Sequence, residues 1–212
     1  MSQIEAVLFD FGGVFTLSPF SEFDGIGQKM GARPGQIHEI MFGNYHEDGD
    51  HPWHKVERGE ISLDECRQTI MDIAQAQHGF ALDIYEIFAA MPRDGGIRTR
   101  LVEKVAELKA RGFRRAIITN NVKEFADGWR SLLPVDDLFE LVIDSCEVGL
   151  RKPNPAIFEL TLERMGIADA SRTVFLDDFP GNIETAKALG MKTILVDEDV
   201  NKAITELDAL LK

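Results

Sequence analysis

Residues 4–14 read IEAVLFDFGGV: a short, mostly apolar run that ends abruptly at an aspartate followed by a phenylalanine and two glycines. A run of this length that stops at a turn signal reads as a strand buried on both faces, as in parallel sheets. Working outward, Arg114 to Thr119, Thr173 to Leu176 and Lys192 to Val196 follow the same grammar, each ending at polar or acidic residues. Phe139 to Ile143 is expected to be an edge-side strand before the loop that carries Arg151 and Lys152. Between these runs, Ile97 to Arg111 (with Leu101, Val105 and Leu108 on one face), Pro155 to Met165 and Asn182 to Leu189 have helical period. They end at Gly112, Gly166 and Gly190, as helices do where a left-handed residue closes the last turn. The alternation predicts a doubly wound α/β core with a parallel, Rossmann-like sheet.

The stretch after the first strand breaks this alternation. Glu22 to Met30, Pro34 to Phe42, Ser62 to Gln77 and Asp83 to Met91 read as four helices joined by turns containing Gly or Pro. Ser62 to Glu65 has the form of a capping box, which marks a helix start. The expected organisation is therefore a core of residues 1–15 and 94–212 with a helical cap, 16–93, inserted in it.

The 212 residues are 44% hydrophobic and 28% charged, with a formal net charge of −13. That charge argues against nucleic acid or an anionic membrane surface as the partner, and it requires a local positive site for any small anionic substrate. The two cysteines, Cys66 and Cys146, show no CxxC spacing, so neither a disulfide framework nor a thiolate zinc site is expected. Ile4 to Phe9 is too short to cross a membrane and lacks the features of a signal peptide. A reducing, cytoplasmic setting is the expectation; the oligomeric state is open, a homodimer included.

In an open α/β sheet, ligands bind beyond the carboxyl ends of the strands. Four polar groups stand there: Asp10; Thr119, Asn120 and Asn121; Arg151 and Lys152 before Pro153; and Asp177 with Asp178. Phosphoryl transfer to a carboxylate needs a nucleophilic oxygen, a divalent cation, donors for the phosphoryl oxygens and a fixed lysine, and each has a candidate. Asp10 and Asp177 are hard oxygen ligands suited to Mg²⁺, and two close carboxylates repel unless a cation or proton intervenes.

FDFGGV (9–14), IITNN (117–121), RKPNPAIF (151–158) and FLDDFPGNIETAKALGM (175–191), in that order and at the ends of the expected strands, resemble the four motifs of haloacid dehalogenase-like hydrolases. Within that superfamily the chain resembles the branch with a small helical cap between the first two motifs. Through ERGEISLDE (57–65) and the DFGGV form it is similar to the amino-terminal phosphatase domain of soluble epoxide hydrolases. The resemblance implies that Asp10 becomes an aspartyl-phosphate and that Thr119 and Asn120 hold the phosphoryl oxygens, with Asn121 beside them. It further implies that Lys152 stabilises nucleophile and phosphate. Asp177 would bind Mg²⁺ together with Asp10 and the carbonyl of Gly12, and Asp178 would be a further ligand or a support. The substrate would be a small phosphorylated metabolite.

One position departs from the pattern. Phosphatases of this superfamily usually carry a second aspartate where this chain has Gly12, and that aspartate serves as general acid and base. Its loss removes a contribution of about 10²- to 10⁴-fold. The expected outcomes are slow turnover, a good leaving group such as a sugar 1-phosphate or acyl phosphate, or an acid supplied by the cap. Two other readings compete: a hydrolytic dehalogenase, which needs no metal, and a degenerate, non-catalytic phospholigand-binding protein. His46, His51 and His54, near Asp48 and Asp50, read as an exposed cap loop, with a second metal site or a substitute acid as alternatives. Trp53 and Phe42 read as cap core rather than a substrate platform, and Asp197 to Asp199 as the acidic start of a C-terminal helix.

Overall fold

The computed structural model describes residues 3–91 and 96–212. The expected border between cap and core at 93/94 lies outside the described residues, as do the first two residues.

Strand β1, Ala6–Phe9, is buried along its whole length and lies at the centre of a five-stranded sheet of order β3-β2-β1-β4-β5. The others are β2 (Arg114–Thr119), β3 (Leu141–Asp144), β4 (Thr173–Asp177) and β5 (Lys192–Leu195). Every pairing is parallel, with Ala6 opposite Arg114 on one side and Thr173 on the other. The even hydrophobicity of AVLF follows from this position, because successive side chains point to opposite faces and both faces are covered. Val7 and Phe9 enter one core with Leu101, Val105 and Leu108 of α6 (Thr99–Ala110) and Leu207 of α12 (Val200–Leu210). Ala6 and Leu8 enter the other with Ile157 and Phe158 of α10 (Pro155–Met165) and Ala186 of α11 (Pro180–Ala188). Each fully buried side chain of this size contributes about 1.5–3 kcal/mol.

Between β1 and α6 the described residues build five helices: α1 (Pro19–Lys29), α2 (Gln36–Phe42), α3 (Pro52–Glu57), α4 (Leu63–His78) and α5 (Ile84–Ala90). They carry their own apolar cluster, including Ile37, Ile40, Met41, Ile70, Ile84 and Ile87. The Ser62/Glu65 capping box is present at the start of α4, and Asp199 caps α12. Helix α3 departs from the expectation of an exposed loop: His51 accepts from the Trp53 N–H as its N-cap, Pro52 occupies the first turn, and Trp53, His54, Val56 and Glu57 are buried. With six residues it is too short for its periodicity to register in the sequence.

The remaining elements are short: α7 (Ala126–Arg130), α8 (Val135–Leu138) and α9 (Ser145–Val148). A 3₁₀ turn, Lys123–Phe125, leads into α7. No helix among the described residues is long and apolar enough to cross a membrane.

Candidate active site

β2 and β3 lie on one side of β1 and β4 and β5 on the other, so the connections diverge at the C-terminal ends of β1 and β4, where a crevice opens. Asp10 follows β1, and its N–H donates to the carbonyl of Leu176 at 2.8 Å. Asp177 is the last residue of β4. Sheet register therefore brings the two acids together across 167 positions of chain.

Asp10, Asp177 and Asp178 each offer a carboxylate oxygen, and these atoms all lie within 4.8 Å of one another. Lys152 sits between two of them, its Nζ 2.7 Å from Asp10 Oδ1 and 2.7 Å from Asp177 Oδ2, and it is almost fully buried. Asp177 is further fixed by the Phe179 N–H at 2.8 Å and by Asn182 Nδ2, 3.0 Å from both of its oxygens. Asn182 was missed by sequence reasoning, although it lies within the fourth motif.

Burial pushes the Asp10 carboxyl up to about 7, against the pull of Lys152 and with the help of Asp177 and Asp178. Asp178 is pushed up to about 6, by burial first and then by Asp177. Burial pulls Lys152 down, but Asp10 and Asp177 outweigh it and hold the ammonium above its ordinary value. Three carboxylates thus face one lysine. This shortage of positive charge, together with an all-oxygen donor set, fits a hard divalent cation such as Mg²⁺.

Two glycines follow Phe11, and they do different things. Gly13 has φ of 75°, and a Cβ there would fall 2.0 Å from Asp178 Oδ2, so its bare backbone is what lets Asp178 approach. At Gly12 an added Cβ would meet nothing within 4 Å. The place of the absent aspartate is open space at the cavity wall.

Thr119, Asn120 and Asn121 all line the same cavity. The Asn120 side chain is spent on the backbone of its neighbour, since its Oδ1 accepts from the Lys152 N–H at 2.8 Å and its Nδ2 donates to the Lys152 carbonyl at 2.8 Å. That amide therefore clamps the lysine loop, while Asn120 keeps its place in the cavity lining. Asn121 Oδ1 accepts from the Val122 N–H, and its own N–H donates to Ser145 Oγ.

Of the three histidines, His51 and His54 lie together with ring centroids 5.6 Å apart, and His46 packs elsewhere. His54 is buried, its Nδ1 accepting from the Gly49 N–H and its Nε2 2.9 Å from the carbonyl of Phe42, and burial first, then Arg151, pulls it down to about 4. His51 is held near 4 chiefly by burial. Exposed His46 packs on Phe179 with ring centroids 4.8 Å apart. The description of this stretch as an exposed loop holds only for part of it, because the histidines at 51 and 54 are used to fold the chain into α3. Among the described residues the three aspartates form the only cluster suited to a metal.

Sequence reasoning also missed the seam between the helical insertion and the sheet. The Arg151 side chain is fully buried; its Nε donates to Glu57 Oε2 at 2.7 Å and its Nη1 to the Glu47 carbonyl at 2.9 Å. Its guanidinium lies 4.7 Å from the centre of the Tyr45 ring. Glu57 Oε1 accepts from Tyr45 at 2.7 Å and from the Trp53 indole at 2.9 Å. A buried arginine needs such partners, but nothing local in the sequence says which acid supplies them.

Residues 4–190 match the haloacid dehalogenase-like hydrolase family. The chain belongs to that family. Among curated relatives, acyl-CoA dehydrogenase family member 10 of Mus musculus is 31% identical over 97% of this chain and 19% of its own length. Bifunctional epoxide hydrolase 2 of Mus musculus is 28% identical over 97% of this chain and 38% of its own length. This hydrolase thus spans well under half the length of either. A glyceraldehyde 3-phosphate phosphatase of Methanothermobacter thermautotrophicus is 34% identical over 46% of this chain and 43% of its own. Among solved structures, a family enzyme of Bacteroides thetaiotaomicron in a magnesium complex has a TM-score of 0.65 and 25% identity, covering 96% of this chain and 99% of that one.

Proposed function

We propose that this hydrolase is a Mg²⁺-dependent phosphatase that cleaves phosphate monoesters through an aspartyl-phosphate on Asp10. The observation that carries the reading is Lys152 bridging Asp10 and Asp177, with the Asp178 carboxylate beside them. Phosphatase relatives and the magnesium complex of a structural neighbour support it. Asp10, Asp177 and Asp178 would hold the cation, which lowers the cost of bringing an anionic substrate to a carboxylate nucleophile.

The residues of the chain itself account for the rest. Lys152 pulls the Asp10 carboxyl back toward ionisation and orients it, and it offers positive charge where the phosphoryl group gathers negative charge. An oxygen of Asp10 forms a bond to phosphorus as the ester oxygen departs with its electron pair; water then displaces the carboxylate and releases phosphate. Asn120 holds the Lys152 backbone in register, and Asn182 does the same for Asp177. The charge excess of the acids also separates this reading from a dehalogenase, whose anionic substrate would meet three carboxylates without a cation.

Asp10→Asn tests the assignment. It should abolish phosphate release from acetyl phosphate while leaving the melting temperature at or above that of the wild type, because a buried charge is removed. Unchanged turnover takes Asp10 out of the chemistry, and halide release that resists EDTA supports the dehalogenase instead.

A further inference from the structure

The cavity above Asp10 encloses about 370 Å³. Its floor is polar, comprising Asp10, Thr119, Asn120, Lys152, Asp178 and Asn182, but its walls are of another kind. From the cap come Phe42, Trp53 and Phe88, and from the sheet side Phe125, Phe11 and Trp129. The rings form a continuous surface: Phe42 meets Trp53 edge-on at 5.1 Å, Trp53 meets Phe88 at 5.9 Å, and Phe88 meets Phe125 edge-on at 5.4 Å. Phe11 and Trp129 pack at 4.7 Å on the sheet side. Among the described lining residues Lys152 is the sole cation, and its ammonium is already held by Asp10 and Asp177. Thr16, Ser18, Tyr45, Glu57 and Asn121 also line the space, but the described lining holds no further cation, so a second anionic group of a substrate would lose its water there without a matching charge.

The second observation is the open space at Gly12, where an added Cβ would touch nothing. Without an acid there, the departing oxygen leaves unprotonated, and its basicity sets the rate. An aliphatic alcohol is far less acidic than a phenol, which lies near the ~10 of tyrosine, so its alkoxide is much the poorer leaving group. An aromatic enclosure and a missing acid therefore select the same class.

We propose that the substrate of this hydrolase is an aryl phosphate, the phosphate monoester of an apolar, ring-bearing phenol, with the ring held between the Phe42, Trp53, Phe88 and Phe125 wall and the Phe11 and Trp129 side. The inference rests on the phosphatase reading. The Asp10 oxygen bonds to phosphorus, the bond from phosphorus to the phenolic oxygen breaks, and the phenolate leaves with the electron pair and takes its proton from bulk water.

The test measures kcat/KM with Mg²⁺ for 1-naphthyl, phenyl and hexyl phosphate and for glucose 1-phosphate, with acetyl phosphate as a reference too small to use the wall. Naphthyl phosphate should exceed phenyl phosphate by about tenfold, the worth of the extra ring area buried, and should exceed hexyl and glucose phosphates by more. Phe125, at 37% exposure, is replaceable without opening the core, and Phe125→Ala should lower the ratio of naphthyl to acetyl phosphate turnover several-fold. Gly12→Asp should raise hexyl phosphate turnover more than naphthyl, narrowing the gap. Glucose 1-phosphate or hexyl phosphate turned over as well as naphthyl phosphate overturns the substrate class while leaving the phosphatase reading standing. Inert acetyl phosphate with no label transferred to Asp10 overturns the phosphatase reading itself.

Discussion

Replacing each of the adjacent glycines by alanine separates two roles that the sequence FDFGGV presents alike. At Gly13 the backbone is left-handed, φ 75°, which costs an L residue roughly 1–2 kcal/mol. The new Cβ would also fall 2.0 Å from Asp178 Oδ2 and 2.2 Å from its carboxyl carbon, so the whole carboxylate must turn away. For a chain of this size about 1 kcal/mol corresponds to roughly 2–4 °C. Gly13→Ala should therefore melt at least ~2–8 °C lower, and it should bind Mg²⁺ about 10- to 100-fold more weakly as a supporting carboxylate leaves the site. Gly12→Ala meets no neighbour within 4 Å and has no left-handed φ, so it should be neutral or gain up to ~1 kcal/mol from a stiffer unfolded chain. Calorimetric melting with and without Mg²⁺, and titration of Mg²⁺ into both variants, read the contrast. A Gly13→Ala protein with wild-type melting and wild-type Mg²⁺ affinity refutes the account of Asp178, and so does a Gly12→Ala protein that loses as much as Gly13→Ala.

The buried acids also make stability depend on pH. Asp10 near 7 and Asp178 near 6 lie above the ordinary 3.8, so between about pH 4 and 7 the metal-free folded protein holds more protons than the unfolded chain, and its stability must fall as pH rises through that window. Melting of EDTA-treated protein from about pH 5 to 8 should show the fall and saturating Mg²⁺ should flatten it; a metal-free melting temperature that climbs across this range contradicts the assignment. Glu57→Leu strands the buried Arg151 guanidinium and should cost ~3–5 kcal/mol in urea unfolding, whereas Glu57→Leu with Arg151→Met should recover most of it; equal losses in the two proteins would show that the pair is not coupled. Lys152→Met should abolish turnover and push both buried acids further up, so that its metal-free form is less stable at neutral pH than the wild type; retained turnover removes the lysine from the chemistry.

The core was legible because its signals are local. AVLF and TVFL are short, apolar and stopped by acids, and Pro155 to Met165 is bounded by Asn154 and Gly166, which cap it at both ends. The acids were legible from their places at strand ends, and Lys152 from the RKPNP motif, since α9 separates it from β3. What stayed hidden depends on partners far along the chain. Nothing near Arg151 announces that Glu57, 94 positions earlier, neutralises it. The sequence likewise does not show that the Asn120 amide is spent on the Lys152 backbone. Helix α3 was missed because its six residues are held by a histidine cap and by burial of Trp53 and Glu57 rather than by a periodic stripe. The distinct roles of Gly12 and Gly13 also needed coordinates, since φ and the approach of Asp178 decide them.

The adjacency of Arg151 and Lys152 ties substrate enclosure to chemistry. Arg151 is held by Glu57 and by the Glu47 carbonyl, both on the helical insertion, while the next residue places its ammonium between Asp10 and Asp177. Tyr45 closes the circuit from the other direction: its hydroxyl donates to Glu57 and lies 3.5 Å from Asn120 Nδ2, whose amide grips Lys152. Trp53 of the aromatic wall, which donates to the same Glu57, is therefore linked to the Lys152 loop. Moving Tyr45 or Glu57 away from the sheet would withdraw hydrogen bonds from the same loop that holds Lys152 in place. Because a misplacement of about 1 Å at a reacting group can cost ~10²-fold, the cap face proposed to select the leaving group would also determine how well the proposed nucleophile is aimed.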